Sequence, residues 1–314
     1  MRVTANAFND SLINQLNVLT SRQYNLQNQV STGLRISAPS DDPAAMTNTL
    51  KYQADKAAQT QYGSNIATLQ TRATSIYNVL QSLQTISSRV GELSTLASDS
   101  TKSPADLNNY GDEVKQLIQQ AAQLANTKDA ATGQYLFGGT AAGAAPFTVA
   151  TDANGNVTGV TYQGNSSVNK IEIASGVTVA VDIPGANTSG SGARGLITDS
   201  QSGADFFNHL ISLQNDLASG NTAAIASTDS ANLQKDENNL LYHVSSNGVM
   251  QSRLNLAATI TSNSSQSLDK MISDASSADV VQTMVQLNQA QTAYQAALQS
   301  GAKIMQLSIL NYIS

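Results

Sequence analysis

The sequence predicts a mainly α-helical protein whose N- and C-terminal halves form a long antiparallel coiled-coil bundle, with a small β domain inserted between them. Three observations lead to this prediction. Apolar residues recur at alternating steps of three and four near both ends of the chain, the period changes to two within residues 140–198, and helical spacing resumes from Phe206. Steps of three and four keep one stripe of a helix facing a partner helix, whereas strict alternation is typical of a strand with one buried face.

The first predicted helix covers residues 4–32. Gly33 follows it directly, and glycine commonly ends a helix because it accepts the left-handed conformation. The stripe of this helix consists of Leu12, Leu16, Leu19, Gln23, Leu26 and Val30. Asp42 followed by Pro43 predicts an N-cap and a first-turn proline, so a second helix is expected to begin at Pro43.

Two further helices are predicted before the β region. The second helix either continues through Gly63 or restarts at Ser64, and its stripe is regular from Ile66 to Val90. Ser103-Pro104 with Asp106 has the spacing of a capping box and predicts the start of the third helix.

Residues 140–198 are predicted to form the inserted β domain. Residues 177–183 alternate between apolar and polar side chains, which predicts a half-buried strand. Asn154-Gly155 predicts a two-residue hairpin turn between two strands. Residues 184–195 are rich in glycine and serine and are predicted to be a linker back to the helices.

The last predicted helix begins near Asp279, after a short helix ended by Gly220 and a long helical segment from Ala223. Its stripe consists of Val280, Met284, Leu287, Gln291, Tyr294, Leu298, Gly301 and Met305. From Ile304 onward apolar residues occur on nearly every side, so this end is expected to need several protein neighbours. Because both termini carry the same kind of stripe, each is predicted to pair with the other.

These elements predict three domains. Residues 1–35 and 279–314 form terminal assembly helices, residues 36–139 and 199–278 form a helical bundle, and residues 140–198 form an outer β domain.

The composition argues against two classes of partner. The net charge is −6 and only 12% of residues are charged, so no basic face is available for nucleic acid or for an anionic membrane surface. The N-terminal residues contain no apolar core of a cleavable signal peptide, so export is expected to use another route.

The sequence predicts no catalytic, cofactor-binding or metal-binding residue, and hence no enzyme. His209 and His243 are predicted to be surface or stripe residues rather than ligands. The segment from Asp152 resembles the start of a calcium loop, but Val157 and Gln163 stand where that loop needs glycine and glutamate. Asp41-Asp42 could form an acid–base pair, although a helix cap is the stronger interpretation.

Several segments, in order, resemble the bacterial flagellin family. They are Val30–Ile36 followed by Ser40–Ala44, then Gln134–Thr140, Tyr162–Gly164 and Ile171–Ile173, then Gly248–Asn255, and finally Tyr294–Tyr312. The second group and the C-terminal segment are most similar to hook-associated protein 3, the flagellin relative at the hook–filament junction. Asn311 stands where the family often has an acidic residue, and Ser314 extends the end.

The resemblance implies a structural subunit of the bacterial flagellum, secreted through the flagellar type III apparatus to the cell exterior. It implies a self-associating layer that contacts a neighbouring hook-associated protein on one side and flagellin on the other. It also implies an export chaperone at the C-terminal helices.

The residues predicted to form subunit interfaces combine both terminal stripes with the motif after the first helix. They are Leu12, Leu16, Leu19, Leu26, Val30, Arg35, Asp41, Asp42, Met284, Leu287, Tyr294, Leu298, Ile304, Leu307, Leu310 and Tyr312. For Arg35, Asp41 and Asp42 the resemblance also implies a role in fixing the loop.

Three alternatives stay open at this point. Flagellin itself, the filament subunit, shares the family motifs, but Pro43 after Asp41-Asp42 and the C-terminal segment favour the junction protein. A secreted coiled-coil adhesin would explain the stripes but not the ordered motifs. An enzyme carried on residues 140–198 is disfavoured because this segment is short, glycine-rich and without a catalytic set.

Overall fold

The computed structural model describes residues 2–130, 132–141 and 143–313, and the side chains of residues 10–303 among them. The helices are α1 (Arg2–Thr32), α2 (Pro43–Ala97), α3 (Pro104–Ala125), α4 (Phe206–Ser219), α5 (Thr222–Ala224), α6 (Ser230–Ser276) and α7 (Val280–Ile313). A single π-helical turn, Ile225–Asp229, lies between α5 and α6. The predicted fold class, mainly helical with small sheets in an inserted region, is confirmed.

The strands form three small sheets. They are β1 (Phe147–Thr151), β2 (Val157–Tyr162), β3 (Ile171–Ala174), β4 (Val177–Val179), β5 (Ala186–Asn187), β6 (Thr198–Asp199) and β7 (Ala204–Asp205). The pairs β1–β2 and β3–β4 are antiparallel hairpins, while β6 pairs in parallel with β5 and antiparallel with β7.

The chain divides into two compact units. The terminal unit comprises Met1–Thr60 and Asn263–Ser314, and the central unit comprises Gln61–Ser262. In the terminal unit α1 packs against α7, and the ion pair between Lys56 and Asp269 links α2 to α6.

The central unit has two apolar cores. The larger one combines side chains of α2, α3, α4 and α6 with Phe147 of β1 and Val157 of β2. The smaller one joins Ile66, Leu69 and Ala73 of α2 to Ile173, Val179, Val181 and Leu254. Strands and helices therefore share each core, and the folding of residues 140–198 as a separate domain stays a prediction.

Most of the predicted helix boundaries are confirmed. The Asp42 carboxylate accepts a hydrogen bond from the backbone N–H of Ala45 at 3.0 Å, as an N-cap does. Ser103 and Asp106 form the capping box that begins α3. Gly220 ends α4 with a φ of 69°. Helix α2 continues through Gly63 without a break.

The prediction of a two-residue turn at Asn154-Gly155 is wrong. Strands β1 and β2 are joined by residues 152–156, and Gly155 has a φ of 78°. The Asp152 side chain closes this longer loop, because its Oδ1 accepts hydrogen bonds from the backbone N–H groups of Asn154 (2.9 Å) and Asn156 (2.7 Å). Asp152 therefore stabilises a turn by accepting backbone hydrogen bonds, as aspartate commonly does.

The predicted strand 177–183 and the predicted linker 184–195 also need correction. The strand ends at Val179, and the linker contains β5, with Pro184 and Gly185 buried. Side-chain amides satisfy its irregular backbone: Asn187 donates to the carbonyls of Ser191 and Ala193, both at 2.7 Å. These bonds hold a bend whose residues 188–193 are exposed, while Pro184, Gly185 and Gly195 near its two ends are buried.

The two histidines are parts of the fold. His243 lies on the buried side of α6 with Nε2 3.1 Å from the carbonyl oxygen of Gly195, and burial lowers its pKa. His209 is half-buried, and its Nδ1 lies 2.7 Å from Oδ2 of Asp236. Of the two positions predicted for the histidines, surface or stripe, His243 therefore occupies the stripe.

A buried ion triad connects α2 to two irregular segments of the central unit. Arg72 contacts Asp129 at 3.0 Å and also Asp182, and the three side chains are 11%, 4% and 6% exposed. Arg89, also on α2, pairs with Glu92 and Glu113 at 2.9 and 2.6 Å, but this triad is largely exposed. The two triads have the same charges and differ in burial.

We expect Arg72→Ala to lower the free energy of unfolding by about 3–5 kcal/mol, because it leaves two buried carboxylates without their common cation. Arg89→Ala is the matched control and should cost much less, because solvent screens the exposed triad. Urea unfolding followed by circular dichroism measures both values. Equal losses for the two variants would show that burial does not govern the Arg72 triad.

Candidate assembly surface of the terminal helices

Helices α1 and α7 lie antiparallel in the terminal unit, since Leu12 lies beside Gly301 and Gln23 beside Ala290. The Gln23 amide donates to the carbonyl oxygen of Ala290 at 3.1 Å, and Leu26 and Ala290 are buried. The predicted pairing of the two chain ends is therefore present in a single chain.

The stripe predicted for α1 lies on its less exposed side. Leu26 is buried and the other apolar members of the stripe are half-buried, namely Leu12, Leu16, Leu19 and Val30. These five residues are the α1 part of the predicted subunit interface, and a contact with another subunit stays a prediction for them.

The stripe predicted for α7 is only partly correct. The residues that are buried or half-buried in regular steps of three and four are Thr283, Leu287, Ala290, Tyr294, Ala297 and Gly301. Met284 and Leu298, which the heptad pattern placed in the pairing stripe, are 52% and 45% exposed. The packed face therefore contains Thr283 and Ala297 in place of their larger neighbours Met284 and Leu298.

Gly301 packs directly against Leu12. A Cβ atom at this position would lie 2.6 Å from Cδ2 of Leu12, closer than unstrained atoms pack. A larger residue here would force the end of the Leu12 side chain to move, so the constraint comes from side-chain packing and not from a backbone torsion.

The pair leaves large apolar side chains exposed on the outer faces of both helices. We refer to them as the exposed apolar set; they are Ile13, Val18, Tyr24, Val281, Met284, Val285 and Leu298, each 45–76% exposed. Apolar side chains exposed together on the faces of a helix pair are suited to a contact with another protein. The side chains of Ile304, Leu307, Leu310 and Tyr312, also predicted to form interfaces, lie outside the described residues.

The segment between α1 and α2 is fastened to the end of α6. Gly33 ends α1 with a φ of 70°, and its carbonyl oxygen accepts from the N–H of Ala278 at 2.8 Å. Arg35 donates its backbone N–H to the Ser276 carbonyl at 2.7 Å and its guanidinium Nη2 to the Ala275 carbonyl at 2.9 Å. Arg35 is thus a loop-fixing residue in the single chain.

The two adjacent aspartates hold the same segment. Asp41 accepts from the backbone N–H groups of Ser37 (3.0 Å) and Ala38 (2.9 Å), and these bonds lower the pKa of its carboxyl group. The bond from the Ala45 N–H lowers the pKa of Asp42, whose Oδ2 also lies 3.5 Å from the Arg35 guanidinium. Both carboxylates are therefore ionised acceptors at neutral pH, which agrees with a cap and not with an acid–base pair.

Other features of the described residues point to no reaction. A cavity of about 520 Å³ in the central unit is lined by groups that already bond within the fold, such as Tyr162, Asn165 and Asn187. The described part of the chain has no cluster of three or more histidines, cysteines or acidic residues suited to a metal ion. None of its helices combines the length and the hydropathy needed to cross a membrane.

Comparison with known proteins finds similarity to flagellar proteins. Residues 3–142 match the bacterial flagellin N-terminal helical region. Over 144 residues the chain is 32% identical to flagellar hook-associated protein 3 of Salmonella typhimurium, and the match covers 45% of each protein. The matched part thus spans less than half the length of that relative.

Two solved structures share the fold. A candidate flagellar hook-associated protein of Vibrio parahaemolyticus aligns with a TM-score of 0.64 and 23% identity, covering 76% of this chain and 100% of that one. FlgL of Xanthomonas campestris aligns with a TM-score of 0.56 and 20% identity, covering 71% and 99%.

We expect Gly301→Val to weaken the α1–α7 pair, because the added atoms overlap Leu12. Adding Leu12→Ala should recover part of the loss, since it removes the overlapping methyl groups, so the two effects should not be additive. Hydrogen–deuterium exchange of the α1 amides measures the pairing, and Ala302→Val, at an exposed neighbouring position, is the control. Additive effects of the two substitutions would contradict the predicted contact.

Proposed function

We propose that this chain, a relative of flagellar hook-associated protein 3 with a flagellin-type N-terminal helical region, is the structural subunit that joins the flagellar hook to the filament. The observation that carries the proposal is the exposed apolar set on the outer faces of the paired terminal helices. A subunit that packs among neighbours needs such faces, whereas an isolated protein is destabilised in water by exposing them.

The proposed partners follow from this arrangement. Further copies of the chain would form one layer, a hook-associated protein would contact one side of it, and flagellin would contact the other. The sequence relationship to hook-associated protein 3 supports the junction position, and the adjoining surfaces are part of the proposal.

We infer a structural and not a catalytic role. The polar residues that offered a chemical alternative, namely Asp41, Asp42, His209 and His243, all form hydrogen bonds that hold the fold. The place of action would be the extracellular flagellum, reached through the flagellar type III apparatus. An export chaperone would cover the apolar C-terminal residues from Ile304.

Flagellin is the second candidate, because the matched N-terminal region is shared with flagellins. A filament subunit has one heterologous contact that repeats without limit and so forms an open helical polymer. A junction subunit presents different surfaces on its two sides, and its own polymer should stop early.

The self-assembly of the purified full chain distinguishes the two candidates. We expect short oligomers or monomers when the chain is concentrated with salt or with short filament seeds, as seen by electron microscopy. Long filaments formed from this chain alone would identify it as a flagellin.

We expect Met284→Ser with Leu298→Ser to abolish filament attachment while leaving the monomer fold intact. Both side chains are about half exposed, so stability should change by no more than about 0.5 kcal/mol for each. Attached filaments are counted by electron microscopy in a flagellated bacterium from which its own junction protein has been deleted, and thermal unfolding is followed by circular dichroism. Leu96→Ser, at a similarly exposed leucine on α2, is the control. Normal attachment by the double variant would remove these residues from the interface.

A further inference from the structure

The corner between α4 and α6 contains an unusual turn. Gly220 ends α4 in the left-handed conformation, the three-residue helix α5 follows, and the chain then passes through the π-helical turn Ile225–Asp229. Single π-helical turns are uncommon and occur frequently at functional positions. The turn places its last residue, Asp229, against α4.

Asp229 is a carboxyl group that the fold surrounds but only partly satisfies. It is 0% exposed, and its Oδ1 accepts a hydrogen bond from the Ser212 hydroxyl at 2.9 Å. Among the described residues, no donor lies within hydrogen-bonding distance of its Oδ2. An ionised carboxylate in this position leaves a buried oxygen without a partner, which is costly.

The charged groups that face Asp229 favour its neutral form on balance. Both come from α4: the Asp216 carboxylate repels a second negative charge, and His209 attracts it only partly, because its Nδ1 is bonded to Asp236 at 2.7 Å. Asp216 is itself held by the Asn221 side chain, which donates to its Oδ1 at 3.0 Å. Helix α4 thus presents to Asp229 one hydroxyl donor, from Ser212, and one carboxylate, from Asp216, whose negative charge raises the pKa of Asp229.

We propose that Asp229 is a proton-operated latch that holds the corner of α4, α5 and the π-helical turn closed when protonated and loosens it when ionised. The protonated carboxyl group is a donor, so Oδ2 can then hydrogen-bond to an acceptor such as the neighbouring Asp216. The ionised group instead requires water, which the corner can admit by opening α5, the shortest helix and one without a buried residue.

The direction of the pH response follows from the change in proton affinity on folding. Burial raises the pKa of Asp229 from 3.8 to about 6, with the Asp216 charge adding to the increase. A carboxyl group whose pKa is higher in the folded state stabilises the fold below its unfolded pKa. This contribution is lost as the pH rises from about 4 through 6.

Hydrogen–deuterium exchange of the full chain at pH 5 and pH 8, corrected for the chemical exchange rate, tests the latch. We expect the corner amides, residues 210–232, to lose about 10-fold in protection between pH 5 and pH 8, because about one pH unit of the transition lies between pH 5 and the folded pKa of about 6. Amides 83–93 of α2, on the same core, should change little. An equal response of both segments would overturn the proposal.

Two variants separate the latch from general acidity effects. Asp229→Asn keeps the shape and cannot ionise, so its corner should stay protected at both pH values. Asp216→Asn removes the repelling charge, so the transition should move to lower pH. Asp152→Asn, in the hairpin loop, is the control and should leave the response of the corner unchanged.

The carboxyl titration of the unmodified protein by nuclear magnetic resonance keeps the test independent of variant folding. We expect Asp229 to titrate near pH 6, and a titration below pH 4 would overturn the proposal. In the last experiment, the hydrogen–deuterium exchange is repeated with calcium chloride and with a chelator. Protection that depends on calcium, and not on pH, would make Asp229 a cation ligand and would also overturn the latch.

Discussion

The close approach of α1 and α7 is the constraint on which the terminal unit depends. Small residues on α7, notably Thr283, Ala290 and Gly301, allow the helices to approach until Leu12 lies directly over Gly301. In this contact small residues alternate with Leu287 and Tyr294, while Met284 and Leu298 lie on the outer faces. The same packing choice therefore produces both the pairing within one chain and the apolar surface available to neighbours.

The connector between α1 and α2 is fixed by a different kind of interaction. Backbone hydrogen bonds between Arg35 and Ser276 and between Ala278 and Gly33 join it to the end of α6, and Asp41 and Asp42 bind its remaining N–H groups. Hydrogen bonds of this kind are directional, so they set the course of the chain after α1. Without them, the apolar contacts of α1 would leave its register on α7 less well defined.

Local signals in the sequence predicted the helix ends well, because a cap depends on residues only three or four positions apart, as at Asp42, Ser103 and Gly220. The packed face of α7 is predicted less well, because a heptad pattern picks out the largest apolar residues, whereas the face that contacts α1 includes small residues such as Ala290 and Gly301. The burial of the two ends of residues 184–195 depends on contacts distant in sequence, and no local signal predicts that Asn239 binds the carbonyls of Gly195 and Leu196. The missing hydrogen-bond partner of the Asp229 Oδ2 is likewise not predictable from local sequence, because Asp229 lies on the π-helical turn and faces α4.

The two units are stabilised by interactions that differ in specificity, and this difference bears on assembly. In the central unit, buried polar groups such as Arg72, Asn239 and His243 each require particular partners, so their packing tolerates little change. In the terminal unit, the α1–α7 pair is held mainly by apolar contacts, and the proposed neighbouring subunits would add burial on its exposed faces. A subunit built in this way can gain contacts at its terminal helices while the polar framework of its central unit stays as it is. Under the proposed function, the burial of the terminal helices would be completed only in an assembly.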